Sequence, residues 1–140
     1  MKSKETKYEN SWREKSLENL EKDSWGEPDF ESHLVKTCHR LRKKPLKEFE
    51  IEDLRIMIGQ NIGLKFLVPL ALEKLKQDIL AEGDFYEGDL LQAVLTCEKE
   101  FWNLEPKLTK QLGAIITDNK ELLNEQEPDL LKSYEQWKKS

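Results

Sequence analysis

Two histidines, two cysteines and a surplus of carboxylates are the residues of this chain that could do chemistry. A metal site needs ligands that converge, such as His at i and i+4 or a Cys-x-x-Cys pair. His33 and His39 are six residues apart, which on a helix leaves them about 120° out of line. Cys38, beside His39, points elsewhere again. All three therefore read as structural or solvated side chains, and no metal is expected. Nucleophilic catalysis needs a Ser, Cys or Thr with a neighbouring base and a third orienting group. No Gly-x-Ser-x-Gly occurs. Cys38 falls on an apolar helical stripe and Cys97 follows Leu90 and Val94 at near-helical spacing. Both read as packed thiols, free in a reducing cytosol, with a single disulfide between them left open. Gly59-Gln60-Asn61-Ile62-Gly63 lacks the Lys-Ser/Thr ending of a phosphate loop and follows a helical pattern, so it reads as a helix terminus. A glycosidase-like carboxylate pair is conceivable, but scattered Asp and Glu on a helical protein are the ordinary solvated face. The chain predicts no catalytic residue and no cofactor.

The carboxylates matter instead as charge. Residues 1–50 hold 12 Lys/Arg against 11 Asp/Glu, and residues 51–140 hold 11 against 17. Between positions 77 and 105, Asp78, Glu82, Asp84, Glu87, Asp89, Glu98, Glu100 and Glu105 face only Lys99. Phosphate binding requires the opposite sign, which excludes direct nucleic-acid binding and favours a basic protein partner. Nor do the acids form the long blocks expected of a DNA mimic. Gly83-Asp84-Phe85-Tyr86-Glu87-Gly88-Asp89 combines turn residues, acids and two aromatics, the composition of a binding surface. The alternative, with Phe85 or Tyr86 folded inward and only the acids in water, is equally compatible with the sequence. Glu52-Asp53-Leu54-Arg55 reads as a helix cap with a local ion pair.

The elements that must position these residues are helices. Leu dominates the apolar set while Val and Thr are scarce, and unbranched side chains lose little freedom in a helix. The first ten residues read as frayed; Ser16 caps a short helix, which Tyr8 and Trp12 could extend backwards. Phe30, Leu34, Cys38 and Leu41 make one stripe from Asp29 to about Arg42, stopped by Pro45. Ile51, Leu54, Met57 and Ile58 form the buried side of the next helix. Pro69 at a first turn puts a central helix from Leu67 or Val68 to about Asp78. Asp89 caps a helix carrying Leu90, Leu91, Val94 and Leu95. Phe101 and Trp102 fall in a short turn, and Pro106 and Pro128 open two further helices, the first running past Asn119 to Leu122. Trp12, Trp25, Trp102 and Trp137 read as core or half-buried. The expectation is an all-α, compact single-domain bundle over residues 1–140, with about seven or eight helices, several short. No apolar run reaches the roughly 18–20 residues of a membrane span, and Met1-Lys2-Ser3-Lys4-Glu5 lacks the apolar core of a secretory signal.

Three stretches also resemble a known family: Glu52 through Leu64 (EDLRIMIGQNIGL), Leu67 through Leu72 (LVPLAL) and Gly83 through Leu91 (GDFYEGDLL). They are similar to the immunity proteins of bacterial contact-dependent growth inhibition systems, over roughly Leu17 to Trp102. What this resemblance implies is a cytoplasmic protector that binds the C-terminal toxin domain of a neighbour's surface protein and blocks it. Many such toxins are nucleases, often attacking tRNA, some resembling the EndoU ribonucleases, and their substrate grooves are basic. An inhibitor of that kind needs no catalytic residue and gains from acids that match the groove. Under this reading Glu82, Asp84, Tyr86, Glu87 and Asp89 form the expected toxin-binding surface, with Glu98 and Glu100 second, in a one-to-one complex with a monomer. An acidic helical adaptor or regulatory subunit for another basic protein would show the same composition.

Overall fold

Leu-rich helical stripes need partners, and the computed structural model shows how they find them. It describes residues 11–27 and 32–139. The expected frayed start, with Tyr8, and the stripe's first residue, Phe30, lie outside the described residues. Among those described, every regular element is helical: α1 Leu17–Glu21, α2 His33–Leu41, α3 Ile51–Gly59, α4 Leu64–Gln77, α5 Asp89–Thr96, α6 Lys99–Leu104, α7 Pro106–Asp118, α8 Lys120–Gln126 and α9 Pro128–Lys139. Single 3-10 turns at Trp12–Glu14 and Leu46–Glu48 lie against each other. The all-α class is as read from the sequence.

The centre is the triangle of α3, α4 and α5. Leu54, Met57 and Ile58 of α3 meet Leu67, Ala71 and Leu75 of α4 and Leu90, Leu91 and Val94 of α5 in one buried cluster. Burying each such Leu or Ile contributes about 1.5–3 kcal/mol. Around this centre α2 lies on α3, α7 on α4, α9 on α5 and α8, and α6 on α7.

Several boundaries differ from the sequence reading for physical reasons. α4 starts at Leu64 rather than at Leu67 or Val68. Gly63, at φ 64°, turns the chain into it, and its carbonyl accepts the N–H of Phe66 and Leu67 at 3.0 and 2.9 Å. Pro69 therefore sits in the second turn, where the helix does without one N–H. Phe101 and Trp102 are helical, both buried on α6. Asn119 splits the expected helix in two by closing α7 with its N–H on the Ile116 carbonyl, 3.0 Å. α2 begins after Ser32, whose hydroxyl accepts the Val35 N–H at 3.4 Å. Leu34 on the expected stripe is exposed, and Trp25 lies outside the core, stacked on the Arg42 guanidinium at 4.4 Å.

The glycine-rich stop after α3 is a Schellman turn. Asn61 takes φ 58°, its N–H reaches the Ile58 carbonyl at 2.9 Å, and the Ile62 N–H reaches Met57 at 2.9 Å. Asp53 accepts the Glu50 N–H at 3.0 Å as a cap, but its ion partner is Lys44, 2.7 Å away, not Arg55. Cys38 and Cys97 are free and buried. Burial raises the Cys38 thiol and pushes Cys97 up to about 11, so neither is a thiolate at neutral pH.

Candidate functional site

Arg55 sits at the centre of a cluster, among the described residues, where acids and two exposed rings come together. On α3, Glu52 and Arg55 are three residues apart and therefore neighbours on one face. Both guanidinium nitrogens Nε and Nη2 donate to the Glu52 carboxylate, at 2.7 and 2.5 Å. The same Glu52 Oε1 accepts the backbone N–H of Asp84 at 2.8 Å, from a loop thirty-two residues downstream. Asp89, at the start of α5, closes the arrangement from the other side. Its carboxylate accepts N–H groups of Gly83 (2.6 Å), Phe85 (3.1 Å) and Tyr86 (3.4 Å), with Arg55 Nε 3.8 Å away. Four consecutive-loop N–H donors are thus satisfied by two carboxylates, and the backbone of 83–86 is fixed.

Gly83 is required by this close approach. A Cβ there would overlap Glu52 Oε1 and lie 3.2–3.3 Å from both Asp89 oxygens. At the loop's base the Gly88 N–H donates to the Leu80 carbonyl at 3.2 Å.

The expected surface residues fall into three groups. Glu82, Asp84, Tyr86 and Glu87 have exposed side chains on the loop. Asp89 does not: only 3% of it is exposed, and its carboxylate is spent on the loop's own N–H groups. Nor does it cap α5, whose N-cap is Gly88. The acid that sequence reading placed on the surface is the one that builds the surface. Glu98 and Glu100 are exposed, but at the far end of α5, an eight-residue helix about 12 Å long. Glu98 is tied there by its N–H to Asn61 Oδ1, 2.8 Å. They do not join the loop cluster.

Both aromatics face outward. Phe85 is 69% exposed with one ring face covered by the Arg55 guanidinium, 4.3 Å from the centroid, and Tyr86 is half exposed. Sequence reasoning omitted Phe85, Glu52 and Arg55 from the site. Only the i,i+3 spacing of Glu52 and Arg55 hinted at a pair.

The hydrogen bonds from Arg55 hold the Glu52 carboxyl below its ordinary value of 4.5, with smaller help from the Asp84 N–H against the opposing effect of burial. Arg55 is raised in turn, first by Glu52. Replacing Glu52 by Gln is expected to cost about 1–2 kcal/mol at neutral pH. Because the folded value is depressed, this contribution is complete above pH 4.5 and disappears as pH falls through the folded value. Urea midpoints of wild type and E52Q, followed from neutral to about pH 2.5, should converge only in acid. A gap that stays constant over that range would show that the charge of Glu52 contributes nothing.

Catalytic geometry is not what this cluster offers: its carboxylates face backbone N–H groups and a guanidinium, not a cleft. Among the described residues no group of three or more His, Cys, Asp or Glu could hold a metal ion. A groove of about 860 Å³ between α4 and α7 is lined by Trp12, Pro69, Leu72 and Ile115, with an Arg13–Glu73 ion pair at its edge and no His, Cys or Ser. No helix among the described residues is long and apolar enough to cross a membrane.

Fold and site together define a small helical protein with a loop whose backbone is tied down by Glu52 and Asp89. A family model described as CDI immunity proteins, those of contact-dependent growth inhibition, matches residues 19–112. That covers well over half of the chain, and the protein belongs to this family. It is accordingly a toxin-neutralising immunity protein whose partner is a cognate toxin. No curated protein and no solved structure matches it. The matched span takes in the whole Glu52–Arg55–Asp89 arrangement and ends within α7, leaving α8 and α9 outside it.

Proposed function

We propose that this protein works in the cytoplasm, as a monomer in a one-to-one complex, by binding a basic nuclease domain of its cognate toxin through the loop at 82–87. An EndoU-like ribonuclease acting on tRNA is the narrower form of this reading. One observation carries it: a backbone locked by Glu52 and Asp89 holds the side chains of Glu82, Asp84 and Glu87 in water. No Lys or Arg occurs from 77 to 98 to neutralise them, and Arg55 is engaged by Glu52. A nuclease groove carries cations for phosphate, so the loop's charge speeds encounter and selects for such a surface. Glu98 and Glu100 extend the acidic field from the other end of α5.

The test is protection in living cells. The toxin domain encoded beside this protein is expressed in a susceptible bacterium with and without it, and survivors are counted. Wild type should rescue and co-purify with the toxin. The triple reversal E82K/D84K/E87K should bind about a hundredfold or more weaker while keeping its helical spectrum, because all three side chains are exposed. Full affinity in the triple variant would reject this surface and leave neutralisation standing. A folded, expressed wild type that fails to rescue would reject neutralisation of that toxin.

A further inference from the structure

Phe85 is the most exposed of the large apolar side chains described, ahead of Leu104, Tyr86, Trp25 and Leu34. Hydrophobic rings left in water normally swing back onto the protein when the backbone permits. Here it does not. The Phe85 N–H is held by Asp89 and the preceding N–H by Glu52. Arg55 covers one face of the ring and is itself held by Glu52. The residue as a whole is still 69% exposed. Tyr86 follows directly, and the carboxylates of Asp84 and Glu87 flank the two rings in sequence.

The loop therefore presents flat rings set between negative charges, with the Arg55 guanidinium placed against one ring. Protein surfaces complementary to that combination have a definite chemistry. A purely apolar cleft would strip water from the carboxylates without giving them partners. A merely basic patch would leave the ring in water. Grooves for single-stranded nucleic acid supply both parts: cations that follow the phosphates, and aromatic or guanidinium platforms on which bases stack.

Resting on the neutralisation reading above, we propose that the loop stands in for a short single-stranded stretch of the toxin's substrate. The Phe85 ring takes a base-stacking position, Tyr86 lies beside it, and the carboxylates of Asp84 and Glu87 occupy phosphate positions. Inhibition is then competitive with nucleic acid. Glu52, Arg55 and Asp89 are positioning residues: they touch the loop and not the toxin.

The experiment uses the full-length protein, the purified toxin domain and a fluorescent, uncleavable 2′-O-methyl single-stranded oligonucleotide. Calorimetry first measures the protein–toxin complex, and anisotropy then follows the oligonucleotide. Wild type should displace the probe, its apparent affinity falling in proportion to probe concentration. F85A should lose about tenfold or more in affinity, F85L should lose nearly as much despite its apolar bulk, and F85W should retain binding. Three results would overturn the proposal: a ternary complex of toxin, protein and probe; F85L binding as tightly as wild type; or a toxin that binds the protein but not the probe. In each of these neutralisation would still stand. Absence of any complex in calorimetry would overturn both readings.

Discussion

Asp89→Ala is expected to lose toxin protection and about 2–4 kcal/mol of stability together. Its carboxylate, with a side chain only 2% exposed, serves three loop N–H groups and lies 3.8 Å from Arg55. Truncation leaves those donors to find water, and it removes the charge that balances Arg55 beside Glu52. Helix α5 itself should survive, since Ala is a good helix former and the N-cap is Gly88. The loss should therefore be local. Amide hydrogen exchange at Gly83, Phe85 and Tyr86 should accelerate far more than at the α3–α5 core, while the urea midpoint falls. Asn, which keeps one carbonyl acceptor, should fall between. Equal exchange rates at those three amides in D89A would mean that Asp89 does not hold the loop.

This residue also marks where sequence reading reaches its limit. Asp89 after Gly88 and before Leu90-Leu91 has the local pattern of a helix N-cap, and the helix is indeed there. What the pattern lacks is direction: the carboxylate points back to 83–86, not forward into α5. Many patterns within a few residues were readable. The apolar faces of α3 and α5, the stop at Gly59–Gly63 and the cap at Ser16, which accepts the Asn19 N–H at 3.2 Å, all follow from periodicity and turn chemistry. The site was not readable in the same way, because it is made by α3 meeting α5. Glu52 and Asp84 are thirty-two positions apart, and Asn61 and Glu98 thirty-seven. Similarly, whether Phe85 faces in or out depends on a guanidinium from another helix. Pro69 misled by being locally plausible as a helix start, whereas Gly63 with its positive φ had already begun α4.

The same contacts explain why the resembling stretches hold together as one unit. EDLR supplies Glu52 and Arg55, GDFYEGD supplies the loop and Asp89, and the Asn of GQN anchors the far end of α5. The two ends of α5 are thereby tied to α3 and the turn after it, one through the Arg55–Asp89 ion pair and one through the Asn61 amide. A loop attached at both its base and its tip loses little further entropy when a partner closes on it, and that lowers the cost of binding. Under the proposed reading, this surface offers a tied-down backbone as well as acids.

Gly88→Ala is expected to be strongly destabilising, because strain and overlap act together at this position. Gly88 sits at φ 86°, where an L side chain is strained by about 1–2 kcal/mol. Its new Cβ would overlap Leu130 Cδ1, and Leu130 is buried on α9, so about 1–3 kcal/mol of overpacking is added. The expected thermal shift is a fall on the order of 10 °C. Gly59→Ala is the matched control: it has ordinary φ, nothing within 4 Å of the new methyl and a place at the end of α3. There Ala should be neutral or stabilising by up to about 1 kcal/mol. Trimming Leu130 to Ala in the G88A background should recover part of the loss, because the overlap term vanishes while the φ strain remains. Thermal unfolding followed by circular dichroism on wild type, G88A, L130A and the double variant, with G59A alongside, reads both terms separately. Strict additivity of G88A and L130A would show that α9 does not press on the base of the loop. Coupling would tie the C-terminal helix, which lies beyond the family-matched span, to the presentation of Phe85 and the acids around it.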